Sequence, residues 1–339
     1  MSFNDIYGHE KKIEILRKSL MQKRTGHAYL FSGIPAIGKR TLALEFIKAI
    51  NCEKADIPDD ACGECASCRK IQHASHPDVF FVEAEGQYIR IASIRHIKER
   101  TTCRPLEAKR RAFIIDDADK MNDEAANALL KMLEEPSLVN MLILVTARPY
   151  AMPQTIISRC QHMRFNPLST ETVARFLVSE MKMDPQRALL LSAWSGGSIG
   201  NALELDQEDI VAYRTELVNL LSATSRKDPF SLINFASFLG QKKKEIRQGL
   251  KILNTFFRDV LMFKEVGKPE MLINQDIIKI ISTCAGRLSG EQILQNLEQI
   301  EKAGAVMEQN VNKSLTLETM AFKLNYSESQ LSEARRTES

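Results

Sequence analysis

Gly33-Ile34-Pro35-Ala36-Ile37-Gly38-Lys39-Arg40, entered from the apolar run His27-Ala28-Tyr29-Leu30-Phe31 and continued by a helical pattern over residues 39–50, decides the fold of this chain. A Gly-x-x-x-x-Gly-Lys frame between a strand and a helix is a phosphate-binding loop. Its glycines let backbone N–H groups approach an anion, and the helix N-terminus favours the anion's charge. Lys39 would reach the terminal phosphates, with Gly33 and Gly38 shaping the loop. Two positions depart from the frame. Ala36 replaces the middle glycine, and Arg40 stands where Ser or Thr would hold Mg²⁺. A guanidinium there repels the metal. Thr41 points about 100° further round the helix and is a poor substitute.

Outward from the loop, short β-rich runs alternate with helical patterns, which predicts a parallel sheet with helices on both faces. Strands are expected at His27–Phe31, Asp78–Val82, Ala112–Ile115 and Met141–Val145, and a fifth around His162 to Phe165. Unbroken aliphatic character in the third and fourth marks strands buried on both faces. Helices are expected at about 9–23, 39–50, 91–101 and 122–135, the last capped by Asn122 and stopped by Pro136. After Pro167 the strand signal ends. The pattern divides the chain into an α/β nucleotide-binding-like core (1–166), a small helical lid (167–206), an all-α segment (207–327) and a polar tail (328–339).

The third strand runs into Asp116-Asp117-Ala118-Asp119. An aspartate at such a strand end commonly holds Mg²⁺, and a glutamate after it polarises the attacking water. Asp116 fits the first role. Asp117 is about one methylene too short for the second, so water positioning should fail. Its alternative role is to cap the following turn.

Among 339 residues, 44% are hydrophobic and 26% charged, the balance of an ordinary globular chain with room for two or three domains. A formal charge of only +3 argues against a surface built for nucleic acid, so Lys109-Arg110-Arg111 and Lys242-Lys243-Lys244 read as solvated faces. No run approaches the roughly 20 apolar residues of a membrane span. Without an apolar signal core at the N-terminus, the expectation is a cytoplasmic protein free of disulfides.

The seven cysteines then need another role. Cys52, Cys62, Cys65 and Cys68 are spaced C-x₉-C-x₂-C-x₂-C within a Gly/Asp/Pro-bearing insert (52–68), and four thiolates suit a structural, tetrahedral Zn²⁺. An iron–sulfur cluster is the alternative, although the Cys-Pro that closes the ferredoxin run is missing. His73 or His76 could replace Cys52, but both read as surface residues at a helix end. Cys103, Cys160 and Cys284 read as small buried thiols.

Taken together, the phosphate loop, the cysteine insert, NDEAANALLKMLEEP at Asn122–Pro136, LILVTARP at Leu142–Pro149 and Ser158-Arg159-Cys160 resemble the bacterial clamp-loader subunits, AAA+ proteins that place the sliding clamp of DNA polymerase III on primed DNA. Phe3-x-Asp5-Ile6-x-Gly8 also resembles the family's start, which flanks its adenine pocket. The resemblance covers roughly residues 1–205 by motif, and beyond that only by helical character. It implies a hetero-pentameric ring with motor (gamma/tau) and delta subunits, the third domains forming a collar. It also implies that Arg159 reaches in trans into a neighbouring motor's ATP site. Thr146 matches the residue that senses the γ-phosphate in active relatives.

The family holds motor and non-motor subunits, and this chain departs from the motor pattern at Arg40 and Asp117. It departs again at Gly197-Ser198-Ile199-Gly200, where a motor carries a lid arginine. The resemblance thus favours a subunit whose own ATPase is absent or very weak, with ATP/Mg²⁺ binding doubtful. The alternatives are an ATP-hydrolysing motor that tolerates Arg40, and a zinc-dependent DNA binder. Against the last stand the near-neutral charge and the lack of a base-reading finger helix.

Overall fold

The computed structural model describes residues 2–54, 59–84, 86, 88–225, 227–307 and 311–325. The polar tail expected at 328–339, and residues 55–58 of the cysteine insert, lie outside them.

Among the described residues, five parallel strands form one sheet: β1 (Ala28–Ser32), β2 (Val79–Val82), β3 (Arg111–Ile115), β4 (Asn140–Thr146) and β5 (Gln161–Arg164), in the order β2-β3-β4-β1-β5. Every residue of β1, β3 and β4 is buried, as their aliphatic runs require of strands covered on both faces. Alternation sorts their side chains. Tyr29, Phe31, Ile114 and Ile143 enter one core with α1 (Glu10–Met21) and α2 (Lys39–Asn51). Leu30, Phe113, Ile115 and Leu144 enter the other, against α4 (Ile91–Thr101), α5 (Asp123–Glu134) and the short α6 (Gln154–Ile157). Asn122 caps α5 as expected, its side chain accepting the Ala125 N–H. Two helices were not anticipated: α6, and α3 (Ala66–Gln72), which begins inside the cysteine insert with Cys65 at its N-cap.

Helices continue from there as α7 (Thr170–Ser179), α8 (Pro185–Trp194), α9 (Ile199–Gln207), α10 (Ile210–Ala223), α11 (Pro229–Phe238), α12 (Lys243–Val266), α13 (Ile278–Arg287), α14 (Gly290–Met307) and α15 (Lys313–Lys323). The chain groups into two compact units, Met1–Met181 with Ser195–Ala202, and Lys182–Trp194 with Leu203–Ser339. Among the described residues the second is all helical, and it carries a buried polar staple. Arg214 pairs with Asp276 and lies 5.7 Å from the centre of the Trp194 ring, whose Nε1 donates to Thr255 Oγ1 at 3.2 Å. No helix among the described residues is long and apolar enough to cross a membrane.

Three expectations are corrected. Lys109-Arg110-Arg111 is not a solvated face. Arg111 is buried and paired with Asp78 at 3.0 Å, Arg110 bonds Thr25 and the Asn140 carbonyl, and Lys109 Nζ donates to the Cys52 carbonyl. His76 is buried rather than superficial, its Nδ1 accepting the Asp78 N–H at 3.1 Å. Cys103 is exposed, because its backbone is held by the Arg111 guanidinium in the loop after α4 and its thiol faces outward.

Candidate functional site

The phosphate loop leaves β1 and opens α2 as expected. At Gly33 a Cβ would meet the Phe165 carbonyl oxygen at 2.5 Å, so only glycine fits this approach. Ala36 takes the left-handed conformation with φ 54°, a strained choice for a residue with a side chain. Behind the loop, His9 packs edge-on to Phe165 and engages the Ile37 carbonyl through Nε2 at 3.0 Å. Burial lowers its pKa. The residues after Gly197 grip the same loop. Ser198 Oγ donates toward the Pro35 and Ala36 carbonyls at 3.0 and 2.9 Å, and the Gly200 N–H donates to the Ala36 carbonyl at 3.1 Å.

A cavity of about 470 Å³ opens beside the loop, within the range of small-molecule sites. Ile6, Tyr7 and Phe176 form its apolar end, Tyr7 meeting Phe176 edge-on at 5.1 Å. At the other end lie Gly38, Lys39, Arg40, Thr41, Asp116 and Asp117.

The charged side chains there already have internal partners. The Lys39 ammonium donates to the carbonyls of Gly33 and Ile34, both at 2.7 Å. Burial pushes its pKa below the usual lysine range despite the carboxylates of Asp116, Asp117 and Asp119. Arg40 Nη1 reaches Glu83 at 2.5 Å and Asp116 at 3.3 Å, and the guanidinium lies 5.3 Å from the centre of the Phe81 ring. Asp116, the expected metal carboxylate, therefore faces a cation of the chain itself. Asp117 sits at φ 48° in the turn after β3 and pairs with Lys120 at 2.7 Å, so its carboxylate serves that turn.

Thr146, at the end of β4, donates its hydroxyl to Asp119 at 2.5 Å and accepts the Arg148 N–H at 2.9 Å. Arg148 completes the group with a 2.7 Å contact to Asp119. Burial opposes the Asp119 charge, but the Thr146 and Arg148 bonds outweigh it and hold the carboxyl below its ordinary value. Glu83, Asp119 and Arg148 were not singled out in the sequence, although Asp119 stood in the acidic run after β3.

Arg159 lies apart from this cavity, at the end of α6, and is exposed. Its guanidinium bonds the Thr155 carbonyl at 3.0 Å and Glu134 at 2.9 Å. Cys160 beside it is half-buried, and burial pushes its thiol up to about 12, the behaviour of an inert packing residue.

Cys52, Cys62, Cys65 and Cys68 come together, their four sulfurs within 4.8 Å of one another. Tetrahedral zinc with Zn–S of about 2.3 Å requires sulfurs about 3.8 Å apart, and Cys62 and Cys68 lie at 3.9 Å. Backbone N–H groups of Glu64 and Cys65 point at Cys62 Sγ at 3.4 and 3.3 Å, and that of Cys68 at Cys65 Sγ at 3.3 Å. Burial disfavours a thiolate at Cys62, yet those N–H groups and the neighbouring thiols bring it down to about 6. Neither His73 nor His76 belongs to the group. The four cysteines could hold a metal ion.

A phosphate loop after β1, an acidic end on β3, a polar end on β4 and the strand order β2-β3-β4-β1-β5, with helices after them among the described residues, define an AAA+ module. The family model for the DNA polymerase III delta subunit matches residues 8–169, and that for its C-terminal part matches residues 208–325. The DNA polymerase III subunit delta' of Bacillus subtilis is 30% identical over 317 residues, covering 92% of this chain and 94% of its own. The tau subunit of the same organism is also 30% identical, but over 284 residues, 77% of this chain and 50% of tau. A solved DNA polymerase III gamma-subunit-related protein from Thermotoga maritima aligns over 91% of this chain and 97% of its own, at 18% identity and a TM-score of 0.42. This chain belongs to the delta-prime family of DNA polymerase III subunits.

Proposed function

We propose that this chain works as the delta-prime, non-motor member of a clamp loader, in a ring with gamma/tau and delta subunits that places the sliding clamp on primed DNA. In this reading Arg159 completes the ATP site of an adjacent motor. A cation supplied in trans against the charge of a transferring phosphoryl group is worth about 10³–10⁵ in rate. The chain's own site, formed by Gly33, Gly38, Lys39, Thr41, Asp116, Asp117 and Thr146, does not turn over ATP.

The observation that carries this reading is the Arg40–Asp116 contact, a guanidinium on the carboxylate that a motor would offer to Mg²⁺. Pairing of Asp117 with Lys120 supports it, since the acid that follows the strand-end aspartate is then turned to an ion pair rather than to water. The proposed division has a core to residue 166, a lid over 167–206 and a collar segment over 207–327. Cys52, Cys62, Cys65 and Cys68 are proposed to hold a structural Zn²⁺, which when bound cross-links the insert and leaves no open position for chemistry. A cytoplasmic location follows from the replication role. The test is ATP turnover by the isolated full-length chain. Hydrolysis indistinguishable from the buffer blank is expected, and turnover near 1 s⁻¹, the ordinary enzyme range, would restore the motor reading.

A further inference from the structure

We propose that Arg40 is a built-in counter-cation, and that the cavity beside it takes a nucleoside polyphosphate without Mg²⁺. This rests on the non-motor reading above and deepens it. Loss of the metal-binding hydroxyl is usually loss of the site, yet the cavity here keeps its volume, its apolar end and its loop. What has changed is the source of positive charge. In a motor site Mg²⁺ bridges the strand-end aspartate and the phosphate oxygens. Here Arg40 Nη1 contacts Asp116 and Glu83, which fixes the guanidinium at the carboxylate end of the cavity.

Both contacts come from one terminal nitrogen. The planar fork therefore keeps donors on Nε and Nη2 for phosphate oxygens, a geometry that suits guanidinium better than ammonium. Among the described residues, the backbone N–H groups of Gly38, Lys39, Arg40 and Thr41 donate to no carbonyl, as expected of an uncovered first helical turn. Lys39 is held only by two neutral carbonyls and exchanges them for charged oxygens at a net gain. At the far end, Tyr7 and Phe176 offer an apolar slot of the kind a base occupies. Mg²⁺ is excluded because it would have to displace a fixed charge of the same sign from Asp116.

The experiment is calorimetric titration of ATP and of ADP into the purified full-length chain, in excess MgCl₂ and in EDTA. Equal affinity in both media is expected. Arg40→Thr restores the hydroxyl and removes the cation, so its binding should be about tenfold weaker in EDTA than in MgCl₂, the worth of one charged hydrogen bond. Arg40 is half exposed, so this variant should keep its fold. Asp116→Asn removes a competitor for the guanidinium and should tighten binding in EDTA. Three results overturn the proposal: no binding of either nucleotide to the unmodified chain in either medium, binding that requires Mg²⁺, or an Arg40→Thr variant as insensitive to EDTA as the parent. ATP turnover by the unmodified chain would instead overturn the non-motor reading, so the two failures are distinct.

Discussion

Arg159→Ala separates a role in trans from a role in this chain's own stability, because the two have different magnitudes. In the structure Arg159 makes one ion pair, with Glu134 at 2.9 Å, and the side chains are 37% and 49% exposed. An exposed pair of this kind contributes at most about 1 kcal/mol, which corresponds to a melting shift of about 2–4 °C for a cooperative unit of about 150–250 residues. The Thr155 carbonyl bond adds a solvated contact of similar weight. A guanidinium acting on a neighbour's phosphoryl group would lower that barrier by about 4–7 kcal/mol. Swinging away from Glu134 costs a small part of this gain. The substitution should therefore leave thermal stability and ring assembly nearly unchanged while slowing the site next to this chain by about 10³-fold or more. Single-turnover ATP hydrolysis by the reconstituted complex, with clamp and primed DNA, reads this as one site's share of the burst becoming slow. Glu134→Gln frees the guanidinium without removing it and should retain the full burst. An Arg159→Ala complex with the parent's burst, or one that fails to assemble, would refute the reasoning.

Other expectations concern the chain alone. Cys65→Ser removes one of four thiolates and should abolish stoichiometric zinc, measured by atomic emission after gel filtration; the insert should then be cut early in limited proteolysis, and a fully metallated variant would speak against the four-cysteine site. Asp78→Asn leaves the buried Arg111 without its counter-charge and should cost about 3–5 kcal/mol in urea unfolding. Burial raises the Asp78 pKa, but the N–H groups of Ala108, Glu107 and Leu106, together with Arg111, hold it below its ordinary 3.8. A folded value below the unfolded one stabilises the protein above the unfolded pKa, so this part of the stability should fade as pH falls through the folded value; Asp78→Asn should lack that acid dependence. Gly200→Ala places a Cβ 2.6 Å from that of Ala36 and should lower stability by about 1–3 kcal/mol, with an unchanged melting temperature counting against the close approach.

What could be read from the sequence was set by local pattern. The five strands and the helices α1, α2, α4 and α5 lie within a few positions of expectation because aliphatic runs, the Asn122 cap and Pro136 are local signals. The insert was harder. Its cysteines announced one another by spacing, but α3 carries no apolar periodicity and owes its start to Cys65 accepting the Cys68 N–H. Lys109-Arg110-Arg111 was misread because charge composition is blind to Asp78, 33 positions earlier, which turns a solvated face into a buried pair. Arg40 announced that the metal site had changed, but Glu83 as its second partner is a tertiary fact. The roles of Asp119 and Arg148 around Thr146 were hidden for the same reason.

The internal pairings around the loop share a direction. In a working ATP site, the lysine, the strand-end acid, the polar end of β4 and the lid must all be free to change partners as the γ-phosphate arrives and leaves. Here Asp116 faces Arg40, Thr146 is bonded on both sides by Asp119 and Arg148, and Ser198 and Gly200 hold the loop carbonyls. Gly200 shows why restoring one motor residue would not restore a motor: any side chain there, the missing lid arginine included, begins with a Cβ inside contact distance of Ala36. Re-creating turnover would require a hydroxyl at position 40, a longer acid at 117 and release of the Ser198 and Gly200 contacts together, and none of the three alone provides a bound metal, a polarised water and a γ-phosphate sensor. Arg159 sits outside this network, in the turn after a short helix and tied only by solvent-exposed contacts. Under the proposed function, the group that acts on the neighbour is the one left able to move.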